Sequence, residues 1–485
     1  MSLSLVALSA FLWQGAMAQE KMNIAWGLGT SAYQIEGAYN VDGKGVGIFD
    51  KWFNDPSRAS RPNGNIAVDH YNHMKEDIGY LGELGATAYR FSVSWPRILP
   101  DCTGKVNQAG VKFYSDMIDE IIKNGAVPVL TMYHWDLPQA CHDRYQSWMS
   151  KDIVQDFTDY ADVLFKNFGD RVQYFLTLNE PSAQCHHKNL AHASVVQHAR
   201  KNYANKKFKF GMPLIVAWGE PLTNSQADLD AQDRFLTHQT KWNWGPLVDG
   251  DYPEMMKKDA VIGKYFPTYT EDEKKMLKGT LDYVAVNYYS ASYIFNAPGR
   301  GLEGDFDGTQ VRDGVVLGPV SGTSWQTVYP VGIRGLLNWI NKTFKMEIVV
   351  AECGTSVPNE PNMTIAQAVD DKFRQSFFEG ITENFAKAVR EDKLPVSMFL
   401  GWALLDNFEW VSYDEHFGVI GVDRSTPKMT RYIKNSARFL QKYFADNAKT
   451  PFKVENGKPT KNAEWITLPS TIGFIFSASL AYLMM

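Results

Sequence analysis

Two glutamates of this chain stand in company that suits acid–base and nucleophilic chemistry. Glu180 lies between Asn179 and Pro181, and Glu352 between Ala351 and Cys353. A carboxyl group can donate a proton, accept one, or meet developing positive charge, according to its protonation state. A pair facing each other across a cleft suits the cleavage of a glycosidic bond. One group protonates the leaving oxygen while the other deals with the anomeric carbon. The two are 352 − 180 = 172 positions apart, so the fold must return the chain to one rim to bring them together. Other polar and aromatic residues recur in similar settings: Gln34 and Glu36, Arg90, His134-Trp135-Asp136, Asn287-Tyr288-Tyr289, Trp402, and Asp406-Asn-Phe-Glu-Trp410. Any one of them alone reads as a helix cap or a structural ion pair. Their clustering is the signal.

The elements that must position them are short apolar runs separated by longer amphipathic stretches. Eight runs read as strands, at 24–27, 86–93, 127–133, 172–178, 209–216, 282–287, 347–351 and 397–402. Their near-continuous apolar character is what strands buried on both faces require. Helical periodicity fills the gaps, most clearly at 71–84, 111–122 and 153–168. Alternating strand and helix over this length predicts an α/β fold, a single (β/α)8 TIM barrel with the active site at the C-terminal ends of the strands. Each residue group named above then falls at or just beyond a strand's C-terminal end. A doubly wound open sheet is the competitor, but Gly27-Leu-Gly29 lacks the rest of a phosphate-binding fingerprint.

Composition agrees with a soluble globular domain: 485 residues, 45% hydrophobic, 21% charged, net charge −5. With no long basic run, nothing points to nucleic acid. The ends read differently from the middle. Residues 1–18 are apolar and finish in Ala16-Met-Ala18, the pattern of a signal peptide. The barrel domain is expected over 19–447 and a polar linker over 448–467. An apolar tail over 468–485 has the character of a membrane anchor or a glycolipid-anchor signal. Secretion, with a membrane tether through that tail, is the expectation. Four cysteines (Cys102, Cys141, Cys185, Cys353) fit an oxidising compartment and allow three full pairings. Asn341-Lys-Thr343 and Asn362-Met-Thr364 are glycosylation sequons.

Longer motifs carry a family resemblance. Trp26-Gly-Leu-Gly-Thr-Ser-Ala-Tyr-Gln-Ile-Glu-Gly37 resembles the N-terminal signature of family 1 glycoside hydrolases, the β-glucosidase family. Tyr89-Arg-Phe-Ser-Val-Ser-Trp-Pro-Arg-Ile98, His134-Trp-Asp-Leu-Pro138, Thr177-Leu-Asn-Glu-Pro181 and Trp402-Ala-Leu-Leu-Asp-Asn-Phe-Glu-Trp410 are similar to further blocks, in the family's order. The resemblance runs from about Trp26 to Phe444. It implies that Glu180 is the general acid/base and Glu352 the nucleophile of a retaining exo-β-glycosidase. Arg90 would keep Glu352 ionised and Tyr289 would donate to it. Gln34, His134, Asn179, Glu409 and Trp410 would hydrogen-bond the terminal sugar, with Trp402 stacked beneath it and Phe417 as a wall. Trp135 and Asn287, from the same strand ends, complete the expected sugar-binding set. No metal or cofactor is implied. The partner would be a small-molecule or oligosaccharide β-glycoside, with glucosides first, then galactosides or fucosides.

Three departures from the family pattern bear on that expectation. Its nucleophile block usually reads Thr-Glu-Asn-Gly, against Ala351-Glu-Cys-Gly354 here, so Cys353 is either a small buried apolar substitute or a disulfide partner. The segment after Pro181 is short, with a helix expected from Lys188, which predicts an open aglycone entrance. The block after Glu409 is one residue short ahead of Phe417. Because Glu409 is kept, an unphosphorylated sugar is expected, and because Glu180 is not glutamine, O-glycosides are favoured over thioglucosides. A non-hydrolytic glycan-binding relative and a transglycosidase on the same fold are the competing functions.

Overall fold

The structure is a computed structural model that describes residues 21–181, 185–258, 263, 267–299 and 305–448. Parallel strands form the centre: β1 (Ala25–Gly29), β2 (Ala88–Ser92), β3 (Val127–Tyr133), β4 (Tyr174–Leu178), β5 (Lys209–Gly211), β6 (Pro213–Ile215), β7 (Tyr283–Tyr288), β8 (Glu347–Cys353) and β9 (Val396–Trp402). Their order in the sheet is β5-β4-β3-β2-β1-β9-β8-β7-β6. The two ends of that list are consecutive in the chain. Lys209–Gly211 pairs with β4, and after Met212 the same segment, as Pro213–Ile215, pairs with β7. The barrel therefore closes on itself with eight staves, the fifth divided in two. Pro213, with no N–H, cannot donate to a ladder at that point.

All eight expected strands are present, with ends shifted by up to two residues. The expected helices occupy His70–Leu84, Gln108–Lys123 and Asp152–Phe168. Gln108–Lys123 shows why. Asn107 caps it by accepting from the Ala109 amide, and Val111, Tyr114, Met117, Ile118 and Ile121 form one buried stripe. The helix after Pro181 begins at Cys185, three residues ahead of expectation.

Alternate residues of seven staves fill the barrel bore: Ala25, Ala88, Val127, Val129, Tyr174, Leu176, Tyr283, Ala285, Val349, Ala351, Met398 and Leu400. The intervening residues pack outward under the helices. One strand breaks the alternation. Val350 pairs with Val286, but Glu352 pairs with Asn287, so the register of β8 against β7 shifts at Ala351. Such a bulge re-aims the next side chain. Ala351 lines the bore, Glu352 still reaches the site, and Cys353 turns outward into the helical shell. Of the two readings of Cys353, the buried apolar one holds, because it is a free thiol. Gly354 follows where a Cβ would stand 1.8 Å from the Trp402 carbonyl oxygen, so the ends of β8 and β9 meet only over a glycine.

Among the described residues a disulfide joins Cys102 and Cys141, a separation of 39 residues. It ties the loop beyond β2 to the helix Gln139–Tyr145, directly behind His134-Trp135-Asp136. Replacing both cysteines with serine should lower unfolding free energy by about 2–4 kcal/mol, the loop-closure scale, in urea titrations of oxidised protein. An unchanged midpoint would show that the bridge adds nothing.

Ala448 is buried and bridges to Met22, so the barrel reaches that residue. The expected signal peptide, the remainder of the linker and the apolar tail lie outside the described residues. Among the described residues no helix is long and apolar enough to cross a membrane.

Candidate active site

Strand ends supply the polar groups, and their hydrogen bonds link most of them into one network. Arg90, fully buried on β2, is its hub. Nη1 meets Glu352 Oε1 at 2.5 Å and the Ala351 carbonyl at 3.0 Å, Nη2 donates to Asn179 Oδ1 at 2.7 Å, and Nε donates to Thr131 Oγ1 at 3.0 Å. The Tyr289 hydroxyl donates to the other oxygen of Glu352 at 2.6 Å. Burial and the nearby Glu352 charge push that phenol's pKa well up, so it stays a donor. Glu352 thus has a fixed counter-charge and two anchored oxygens.

Glu180 follows β4 with φ +44°, a left-handed conformation that an L residue adopts at a cost. Its amide is held by the Pro213 carbonyl at 2.9 Å, so the divided stave helps to fix it. Asn287 Nδ2 donates to Glu180 Oε1 at 2.6 Å and to Asn179 Oδ1 at 3.2 Å. Burial, then the charge of Glu352, raises the Glu180 pKa to about 8. Two carboxylates in one low-dielectric site do not readily ionise together. Glu409 behaves alike: burial first, then Glu352, lifts it to about 8.

Asn179 Nδ2 faces His134 Nε2 at 3.0 Å. As Nδ2 can only donate, Nε2 accepts and the ring proton sits on Nδ1. Burial and the Arg90 charge hold the imidazole well below its ordinary pKa, so it is neutral. Its Nδ1 has no protein partner, leaving a buried donor for a ligand hydroxyl. Gln34 Nε2 donates to Glu409 at 2.9 Å and Asn407 at 3.1 Å, while its Oε1 accepts from Ser31.

Aromatic rings complete the walls. His134 lies nearly parallel to Trp402 and Trp410, with centroids 5.8 and 5.7 Å away. Trp135 and Trp410 approach to 4.3 Å. Trp402, Phe417, Tyr289 and Ala403 form one buried cluster. Apolar ring faces and convergent polar groups are what a pyranose needs, since it offers C–H faces and a rim of hydroxyls.

The expected catalytic and sugar-binding residues come to this rim, whereas Glu36 pairs with Arg97 and Tyr114, and Tyr288 packs beneath the helices with its hydroxyl on the Tyr329 carbonyl. Trp135 differs in manner: its indole N–H is taken by the Asn179 carbonyl at 2.9 Å, so it acts as a wall. Sequence reasoning missed Thr131, which braces Arg90, and Gln326, whose Nε2 holds the Tyr289 and Gly354 carbonyls at 2.9 and 2.7 Å. It also missed Trp325, half exposed and edge-on to Tyr289 at 5.7 Å, which stands at the mouth. Asn407 lies inside the Trp402–Trp410 motif, and that was its only signal.

Glu360, Asp406 and His416 place ligand atoms within 4.8 Å of one another. The Lys434 ammonium already sits on Glu360 at 2.6 Å and on both oxygens of Asp406 at 2.8 Å. The positive charge that a metal would bring is therefore supplied by lysine.

Comparisons with known proteins point one way. The profile of Glycosyl hydrolase family 1 matches residues 19–187 and 181–449. Beta-glucosidase 1B of Phanerodontia chrysosporium is 36% identical over 487 residues, covering 92% of this chain and 88% of that protein. The crystal structure of a β-glucosidase from the fungus Humicola insolens in complex with glucose superposes with a TM-score of 0.84. It is 32% identical and covers 88% of this chain and 98% of its own. A rice β-glucosidase mutant in a covalent complex with Glc gives a TM-score of 0.81 at 32% identity, covering 88% and 98%.

Proposed function

The chain belongs to glycosyl hydrolase family 1 and is an O-glycoside hydrolase of the β-glucosidase type, and we propose that it is a retaining exo-enzyme releasing terminal non-reducing β-D-glucosyl residues. The observation that carries this reading is the unequal treatment of two carboxyl groups at one rim. Glu352 is paired by Arg90 and Tyr289, while Glu180, with a pKa of about 8, keeps its proton at neutral pH.

In the proposed reaction Glu352 attacks the anomeric carbon, and the C–O bond to the aglycone breaks as Glu180 delivers its proton to the departing oxygen. Glu352 becomes an ester and its charge disappears. One of the two influences that raised Glu180 goes with it, so Glu180, now a carboxylate, is suited to take a proton from water. Water's oxygen then displaces Glu352 from the anomeric carbon, and both carboxyl groups return to their starting states. The covalent complex named for the rice relative supports two steps here. His134, Gln34, Asn179, Asn287, Glu409 and Trp410 are the proposed ligands of the sugar hydroxyls, with Trp402 beneath the ring and Trp135 and Phe417 beside it. Arg90 acts through Glu352. Glucosides come first because the relatives are named for them, with galactosides and fucosides next.

The test is a screen of aryl β-glycosides on the purified chain, with the product anomer followed by NMR. A β-anomer formed first supports retention, and an α-anomer sinks it. Because Glu180 must begin protonated, kcat/KM should fall as pH climbs past about 8. A profile flat through that region would contradict the assigned proton donor.

Secretion is proposed on the Ala16-Met-Ala18 pattern, and it is supported by the Cys102–Cys141 bridge and the exposed sequon at Asn362. The membrane tether through 468–485 is likewise a proposal.

A further inference from the structure

Behind the sugar-binding loop lies a buried cluster of charge that the chemistry above does not use. Glu360, in the turn region after β8, accepts from Lys434 and Arg374. Arg374 also donates to Asp371 at 2.6 Å and to the His416 carbonyl at 2.7 Å. Asp406 accepts from Lys434 and, at 3.0 Å, from the Gly418 amide. Asp371 is capped by the Ser436 amide and hydroxyl. Three acids face two bases, an excess of one negative charge in a region whose carboxyl and cationic side chains are at most 6% exposed. Isolated buried charge is costly and must be compensated.

His416 stands where the compensation is needed. Its Nδ1 is 3.8 Å from both Glu360 and Asp406, and its Nε2 is 2.9 Å from the Tyr413 carbonyl. A carbonyl only accepts, so Nε2 must carry a proton. In the neutral ring Nδ1 would then turn a lone pair toward two carboxylates. A second proton converts that repulsion to attraction and brings the cluster to neutrality. Burial opposes the charge, but Asp406 and Glu360 outweigh it, and the pKa lies above the ordinary imidazole value. Lys434 also acts on the ring and lowers its pKa, Arg374 and the Tyr432 phenol lie near the same two acids, and Asp371 is paired with Arg374 beyond them.

The loop that carries His416 also carries Glu409, Trp410 and Phe417. It is pinned at the His416 carbonyl and the Gly418 amide by this cluster, and Phe417 bonds through its carbonyl to the Ala403 amide beside Trp402. We propose that His416 is a positioning residue whose protonated imidazole, between Glu360 and Asp406, fixes the loop presenting Glu409, Trp410 and Phe417 to the sugar. The proposal rests on the reading of that loop as a sugar-binding wall. The sign follows from the linkage: the charged ring stabilises the loop in full below the ordinary imidazole pKa, and the contribution is lost as pH rises through its raised pKa.

The experiment compares the full-length parent with His416→Gln and His416→Arg, across about pH 5 to about pH 9, the range where imidazoles titrate. Two readouts are used: KM and kcat on an aryl β-glucoside, and glucose affinity by calorimetry, which does not depend on turnover. In the parent, KM and the glucose Kd should rise on passing above the imidazole's pKa. His416→Gln should start with sugar affinity weakened by about fivefold, the low end of coupling between two sites, and lack that rise, keeping only what Glu409 contributes near pH 8. His416→Arg, charged throughout, should restore affinity and also lack it, with kcat keeping its own pH limb in all three. A merely structural histidine would lower thermal stability without moving the pH dependence of KM. The proposal is overturned if His416→Gln keeps the parent's affinity profile, or if His416→Arg binds no better than His416→Gln. Failure of hydrolysis with intact, pH-dependent glucose binding would count against the proposed reaction and leave His416 standing.

Discussion

Glu352→Gln should leave a folded barrel that no longer releases an aryl aglycone, with kcat down by about four orders of magnitude or more, the scale seen when a covalent enzyme loses its nucleophile. The amide keeps a carbonyl oxygen for one of the two donors, Arg90 and Tyr289, so the loss is chemical before it is structural. It also removes the charge that helps to raise Glu180 and Glu409, and both should titrate at lower pH in the variant. A fluoro-sugar inactivator should label the parent at Glu352 and leave the variant untouched. Undiminished turnover in Glu352→Gln would remove it from the role.

Glu180→Ala should fail in a different way. Without its proton, substrates with poor leaving groups lose about two to four orders of magnitude, while activated aryl glucosides still form the glycosyl-enzyme. Breakdown then becomes slow, since no base activates water. Small anions need no base, so azide should restore turnover and appear as a β-glucosyl azide. Equal losses for good and poor leaving groups, or no response to azide, would dismiss Glu180 as the acid/base. Measured side by side, the two variants separate attack from proton transfer.

How much of this could be read from residues alone follows from the physics of each feature. The staves were legible because both faces of each strand are buried, so apolar runs mark them. Helices such as Gln108–Lys123 were legible from their stripes. The division of the fifth stave at Met212 was not, since the run 209–216 stays apolar across it and only the partners change. At the site, Glu180, Arg90, His134 and Glu409 were found because barrel strand ends are where chemistry collects. Gln326 and Thr131 act through partners 28 to 41 positions away, and neither sits in a pattern that announces the contact. His416 is a similar case: nothing beside it in sequence reveals that five charged side chains will gather behind its loop.

The irregularity in β8 has a consequence for how this sequence can drift. In an even strand, the residues flanking Glu352 would share its opposite face and change together. Here the shift at Ala351 sends the three consecutive side chains to separate compartments: the bore, the reaction chamber, and the shell beneath the helices. A substitution at 353 is then screened for fit among helices, and one at 351 for the width of the bore, while the carboxylate between them answers to neither and is free to serve the proposed chemistry. The two residues beside Glu352 can thus be rewritten by packing in two separate compartments, while its own side chain stays where Arg90 and Tyr289 hold it.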